Sequence, residues 1–445
     1  MTDKPLESLS AKFSDSFAYA TIKDRLPVIL TKIIDSIHRT RNEIGEKYGC
    51  EAKEQVKDVV GRLSKLRNEL QTNKPLTPIT DDGRDAEIWN EYLQSRIDSL
   101  QQAPTWFEDS WLYVECYMYR RIHEAFQLSD HIRENIKPFR QQKEDSFNNC
   151  QQAIMVLLDF LMKTTSTLEY GAENDENNET EKLFNEFLKV SLWGNKCDLS
   201  ISALGDNVQN VDPLSQIEML QSKILIDNSQ QVLEYLKRIN SEERGPTGVR
   251  VDIVLDNAGF ELVTDLCFAE FLLSSKLADS VYFHGKALPW FVSDVVASDF
   301  FWTLNTLKSS EHASLSHFGN KWAKRIKNNS WMYVEHEFWT TPFDFSHMEM
   351  ISPALHAELA LSDFIFLKGD LNYRKLCGDL NWSHTTPYEV ALRGFHPAPH
   401  CSLRTLKADI IVGLADGKDK EIESNDPDWM TTGKYAVVQW CNNRV

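Results

Sequence analysis

VDIVLDNAGFELVTDL, residues Val251–Leu266, begins as an apolar run and turns abruptly to Asp256 and Asn257. With Val249 to Leu255 as a strand, both oxygen-bearing side chains stand at its exit. Gly259 then allows a tight turn into a helix carrying Glu261 and Asp265. In open parallel sheets ligands bind beyond the carboxyl ends of strands, where loops carry polar groups without burying them unpaired. From this segment alone Asp256 has two readings. It caps the following helix, as aspartates in such places commonly do, or it holds a ligand.

The surrounding sequence sets the architecture. After SEERGPTG, short apolar runs alternate with helix-length segments: VRVDIVL, SVYFHGK, WMYVEHEF, DFIFLKG, LKADIIVGL and YAVVQW are strand candidates. Strands spaced this way imply crossover connections and a mainly parallel sheet covered on both faces, an α/β fold with α/β/α layers. Before residue 245, segments such as LPVILTKIIDSIHRTRNEIGEKYG and DPLSQIEMLQSKILIDNSQQVLEYLKRI repeat apolar residues every three or four positions, the period of amphipathic helices. A chain of 445 residues exceeds what one core normally organises. The expected division is a mainly helical domain over 1–240 and an α/β/α domain over 245–445. GAENDENNETE, 171–181, is too polar to pack and is expected to be a loop.

Charge narrows the function. With 66 acidic against 48 basic residues and a net charge of −18, the surface repels a phosphate backbone, so no nucleic-acid partner is expected. No stretch approaches the apolar length of a membrane span and the amino terminus lacks a signal-peptide centre, which points to the cytoplasm, the nucleus included. The eight cysteines show no CxxC pair and read as reduced thiols. HExxH, GxSxG and GxxxxGK[ST] are absent, which lowers zinc-hydrolase, nucleophile-elbow and P-loop readings.

Three strand exits carry the chemistry. SVYFHGKALPWFVSDVVASDF places His284 and Lys286 in an expected polar turn, then Ser293 and Asp294 at a helix start. Aspartates at adjacent exits crowd negative charge, and a divalent cation held by Asp256, Asn257 and Asp294 would compensate. All-oxygen donors suit magnesium or manganese better than zinc. FIFLKGDLNYRKLCGD sets Lys368, Asp370, Asn372, Arg374 and Lys375 after a strand, and SLRTLKADIIVG sets Arg404, Thr405 and Lys407 before an apolar run. Cations beside a metal site suggest phosphate; any single one of them is ordinarily paired with a local acid, so only their joint occurrence carries weight. Glu261 is open between a site role and a surface or helix-start acid.

DNAGFELVTDL, KALPWFVSD, KGDLNYRKL and RTLK, in that order, resemble the damage-control phosphatase family, in its subfamily with an RTxK signature. The likeness covers the carboxyl-terminal half and, through SLWGNKCDLS at Ser191 to Ser200, reaches into the helical part. It implies a helical amino-terminal domain before an α/β/α domain, and a metal-dependent phosphohydrolase acting on sugar phosphates, such as fructose 1-phosphate, and related small phosphometabolites. Asp256, Asn257 and Asp294 would be the metal ligands, for manganese, cobalt, nickel or magnesium, with Asp256 and Asn257 catalytic. Asp256, Asn257, Asp370, Leu371, Asn372, Tyr373, Arg374 and Lys407 would contact substrate. Asp256 would either attack phosphorus or orient a metal-bound water. Asn195 and Asp198 would reach the phosphate or hold a turn. The alternative is a protein carboxyl (glutamate) methyltransferase using S-adenosylmethionine, with Glu261 and Asp294 at the methyl-donor site; the turn DNAGFE lacks the glycine-rich loop such a cofactor needs.

Overall fold

β2 (Arg250–Val254) is an interior strand of a seven-stranded sheet. Around it lie β1 (Ile224–Asp227), β3 (Ser280–Lys286), β4 (Trp331–His336), β5 (Phe364–Lys368), β6 (His400–Thr405) and β7 (Ala436–Cys441). This computed structural model describes residues 6–170, 176–203, 220–241 and 248–442, with side chains for all of these except 169–170, 176–178 and 195–203.

The strand order is β1-β7-β6-β5-β2-β3-β4. The run β6-β5-β2-β3-β4 is parallel, β7 is antiparallel to β6, and β1 runs parallel to β7. Crossover helices Phe260–Ser274, Ala297–Lys308, Ala313–Lys327 and Pro353–Ala360 bring the chain back between the parallel strands. Alternation along β2 sends Val251 and Ile253 to one face and Val254 to the other. β5 divides the same way, Phe364 and Phe366 against Ile365 and Leu367. Because both faces are buried, β5 stands out as a continuous apolar run, whereas β2 carries the buried Asp252, satisfied by Arg250, His284 and Ser362.

Each face has its own core. Helices 151–170, 176–203 and 229–241 pack with Phe260–Ser274 on one side. Helices Leu26–Arg39, Cys50–Gln71 and Trp111–Gln127 cover the other. Buried Leu26, Leu30, Ile33 and Ile37, then Val56, Val59, Leu63, Leu66 and Leu70, follow the three-to-four spacing of the amphipathic pattern. The result is the expected α/β fold in three layers. The helical half nonetheless contributes directly to the sheet, since β1 precedes residue 240 and both cores draw residues from either side of it.

Several local expectations are corrected. LKADIIVGL is not a strand. Its buried backbone is satisfied irregularly: Val412 N–H donates to the Tyr373 hydroxyl, its carbonyl accepts from Gln439 Nε2, and the Ile410 carbonyl accepts from Arg404. The strand is instead HCSLRT, where His400, Ser402 and Arg404 are buried with polar partners, so that no apolar run marks it. ILID of β1 was hidden within a helical period. Of the expected loop 171–181, residues 171–175 lie outside the described residues and the chain is helical from Glu176. His284 and Lys286 belong to β3 itself, both buried. Among the described residues no helix is long and apolar enough to cross a membrane, and Cys50 is the one exposed thiol of seven free cysteines.

Candidate active site

Beyond the carboxyl ends of β2, β3 and β5 lies a cavity of about 390 Å³. Its sheet-side wall carries Asp256, Asn257, Ser293 and Asp294. The 256–258 segment after β2 pairs with 293–295: Ala258 N–H donates to Ser293 O at 2.7 Å and Val295 N–H to Asp256 O at 2.9 Å. Asp256 and Asp294 are therefore fixed as neighbours by backbone bonds. Asp256 does not cap the following helix, whose N-cap is Gly259.

The side chains around them form a chain of bonds. Asn257 Nδ2 donates to Asp256 Oδ2 at 2.7 Å and to Glu261 Oε2 at 2.8 Å, and Ser293 Oγ donates to Asn257 Oδ1 at 2.5 Å. Glu261 is buried rather than at the surface, with Lys368 Nζ 3.5 Å from its Oε1. Lys368 also donates to Asp265 at 2.8 Å and to Ser191, drawing the helix 176–203 into the support of the site. Lys286 Nζ donates to Leu255 O at 3.2 Å and lies 3.6 Å from Asp294 Oδ2, and Lys143 Nζ donates to Asp294 O at 2.6 Å.

Electrostatics mark the same place. Burial, then repulsion from Glu261 and Asp294, raises the Asp256 carboxyl well above the carboxylate range, with Lys407 and Lys286 opposing. Burial pushes Asp294 up to about 6 against the pull of Lys286 and Lys143. Asp294 Oδ2 is buried without a hydrogen-bond partner. A divalent cation would supply what these groups lack, and two carboxylates plus an amide oxygen form a hard-donor set for it. Among the described residues no group of three His, Cys, Asp or Glu is arranged to hold a metal; this set differs because its third donor is Asn257.

The facing wall comes from β5, the RTLK stretch and the helical half. Gly369 opens the helix Gly369–Cys377 at φ 86°, and a Cβ there would overlap the Asp256 carboxylate. Only glycine lets that helix start so close to the β2 exit. Asp370 and Leu371 line the cavity from its first turn, where no N-cap side chain satisfies the leading N–H groups. Asp370 Oδ1 accepts from Arg404 Nε at 2.7 Å and from the Lys407 N–H at 3.0 Å, tying β6 to this helix and bringing Lys407 to the cavity.

Arg374 lines the cavity but is committed elsewhere. It donates twice to Asp379 at 2.9 Å and once to Glu115 at 2.7 Å, and its guanidinium lies 3.6 Å from the Trp111 ring centre. Although burial alone would lower it, Asp379 and Glu115 hold the guanidinium above its ordinary value. Asn372 and Tyr373 are not on the cavity. Asn372 is buried against Lys368 O and Leu255 O, and the Tyr373 hydroxyl donates to Gln439 Oε1 at 2.8 Å. Their place in the helix explains it, since the two positions after Leu371 face the sheet and β7, and Arg374 comes round to the cavity again. Lys375 is buried against the carbonyls of Trp339 and Thr341, away from the cavity. The side chains of Asn195 and Asp198 lie outside the described residues.

Sequence reasoning missed the helical half's share of the wall, Arg25, Trp111 and Glu115, and also Phe291 of the β3 exit. Glu115 had a signal, a carboxylate inside the aromatic run WLYVECYMY, which a buried helix face carries only for a partner. Arg25 and Trp111 had none.

The description "Damage-control phosphatase ARMT1-like domain" matches residues 21–422, spanning both the helical half and the sheet. The chain belongs to this family. A protein named Damage-control phosphatase ARMT1 from Danio rerio is 48% identical over 439 residues, covering 98% of this chain and 97% of its own. Its counterpart of the same name from Homo sapiens is 46% identical over 436 residues, covering 97% and 98%. The chain is thus a phosphatase, and damage-control phosphatases are metal-dependent as a group. The methyltransferase alternative is not favoured: Glu261 is engaged by Asn257 and Lys368 rather than open to a donor.

Proposed function

We propose that this phosphatase hydrolyses phosphomonoesters of small metabolites, sugar phosphates such as fructose 1-phosphate among them. The observation that carries the reading is one cavity with an under-compensated carboxylate pair on one wall and Lys407 beside an uncapped helix start on the other. Its volume of about 390 Å³ suits a single small ligand.

Asp256, Asn257 and Asp294 hold a divalent cation, which when bound polarises a phosphate oxygen and neutralises its charge. Lys407 contacts the phosphate as a point charge, and the leading N–H groups of the helix Gly369–Cys377 donate to its oxygens. Arg374 positions rather than binds, fixing Glu115 and Trp111 against the sheet half. Asp256 provides the carboxylate that attacks phosphorus or orients the attacking water. A phosphoenzyme trapped by acid quench, with retained configuration at a chiral phosphorothioate, marks the first role; inversion with no trapped species marks the second.

The test is phosphate release from a panel of sugar phosphates, abolished by chelator and restored in turn by manganese, cobalt, nickel or magnesium. Full activity in the chelated enzyme, or in a folded Asp256→Ala variant, overturns the assignment.

A further inference from the structure

The turn Trp290–Asp294 holds two consecutive non-glycine residues at positive φ, Phe291 at 41° and Val292 at 70°. For a β-branched residue this is a true outlier. The Ser293 N–H donates to Phe291 O at 2.9 Å across Val292, closing a three-residue turn of the rare positive-φ form. Such strain persists only where the surroundings over-determine it.

Two sets of contacts do so. On the sheet side, the pairing of 256–258 with 293–295 and the Ser293–Asn257 bond pin the end that carries Asp294. On the other side, the Phe291 ring stacks on Tyr119 with centroids 4.6 Å apart and an interplanar angle of 25°. Trp290, fully buried, packs against the same Tyr119 at 6.0 Å and against Trp89 at 6.5 Å. Tyr119 lies on the helix Trp111–Gln127, so the aromatic grip belongs entirely to the helical half. Released from it, Phe291 and Val292 would relax toward negative φ, and the strain would fall on the bonds that pin Ser293 to Val295 and so orient Asp294.

We propose that Tyr119 is a positioning residue for the metal site: by stacking on Phe291 it holds the turn Trp290–Asp294 in its strained form and so aims Asp294 into the cavity. This rests on Asp294 as a metal ligand. The helical half then does more than close the cavity, since it sets the affinity for the cation from a residue that touches neither cation nor substrate.

The test is a double-mutant cycle on the full chain, read by calorimetric manganese affinity and by kcat at several manganese concentrations. Tyr119→Ala should weaken manganese binding about tenfold, with kcat recovered at saturating manganese, and Tyr119→Phe should restore the affinity because the stack survives. Val292→Gly removes the Cβ that makes the turn costly. In that background Tyr119→Ala should cost twofold or less, a coupling that simple loss of packing would not produce. An unchanged affinity in Tyr119→Ala, or the same loss in both backgrounds, overturns the proposal. Should Tyr119→Ala fail to fold, Phe291→Ala replaces it in the cycle, read by manganese affinity alone because Phe291 also lines the cavity, with the same loss expected in the parent and the same twofold limit in Val292→Gly. Asp294→Asn separates the premise: if it binds manganese as the parent does, the ligand assignment fails; if it alone loses binding, only the role of Tyr119 fails.

Discussion

Two groups of buried charge, one in the helical half and one at the strand exits, are built on opposite plans. Arg120, fully buried, donates to both oxygens of Asp81 at 2.6 Å and to Asp85 at 2.7 and 3.0 Å. Despite burial, those bonds keep the Asp81 carboxyl below its ordinary range. Around Asp256 burial and the repulsion among carboxylates outweigh the pull of the nearby lysines, and both Asp256 and Asp294 are pushed upward. Charge satisfied within the chain holds the fold, whereas charge left under-compensated is held ready for a ligand.

That contrast can be broken by substitution. Asp256→Asn should cost roughly 10³-fold or more in kcat/KM, while its melting temperature stays level or rises because a crowded charge is gone. A melting point lowered as far as that of an Arg120 variant would erase the distinction. Arg120→Met leaves two buried aspartates unpaired and should destabilise by about 3–5 kcal/mol, with kcat unchanged at temperatures where the protein is folded; a loss under 1 kcal/mol in denaturant titration would contradict it.

Smaller effects sharpen the comparison. Removing the cation should lower stability by about 2.7 kcal/mol relative to protein at a hundredfold excess of metal over Kd, and Arg120→Met should show the same increment. The smallest effect concerns Asp344, another paired carboxylate, held down to about 2 by the His347 hydrogen bond and the Arg393 guanidinium in spite of burial. Because the folded value lies below the ordinary one, its contribution is complete above the unfolded pKa, near pH 4, and is lost as pH falls toward 2. That contribution amounts to about 2 kcal/mol. Asp344→Asn should flatten this limb of the acid-unfolding curve, and an unchanged limb would show that the pair stabilises nothing.

The two regions were also unequally legible in the sequence. VDIVLDNAG announced a strand with polar groups at its exit because a strand buried on both faces is mostly apolar until it leaves the sheet, Asp252 being the one buried exception in this stretch. RTLK could be seen as cationic but was placed before a strand rather than at the end of one, since β6 alternates buried polar side chains whose partners lie in distant segments. Arg374 looked like a phosphate ligand by type. Its partners Glu115 and Asp379, one of them 259 positions away in the chain, are what commit it.

From its sequence alone the protein is determined to have a mainly parallel sheet, amphipathic helices before it, and oxygen donors and cations at successive strand exits. Those features are local: period, turn chemistry and residue type act over a few positions. Which cations are spent on internal pairs, which aromatics grip the turn carrying Asp294, and which residues of the helical half wall the cavity were decided only by tertiary packing. The physical reason is that pairing and burial depend on groups hundreds of residues apart, and no local pattern encodes whether a charged side chain meets a partner or an open cavity.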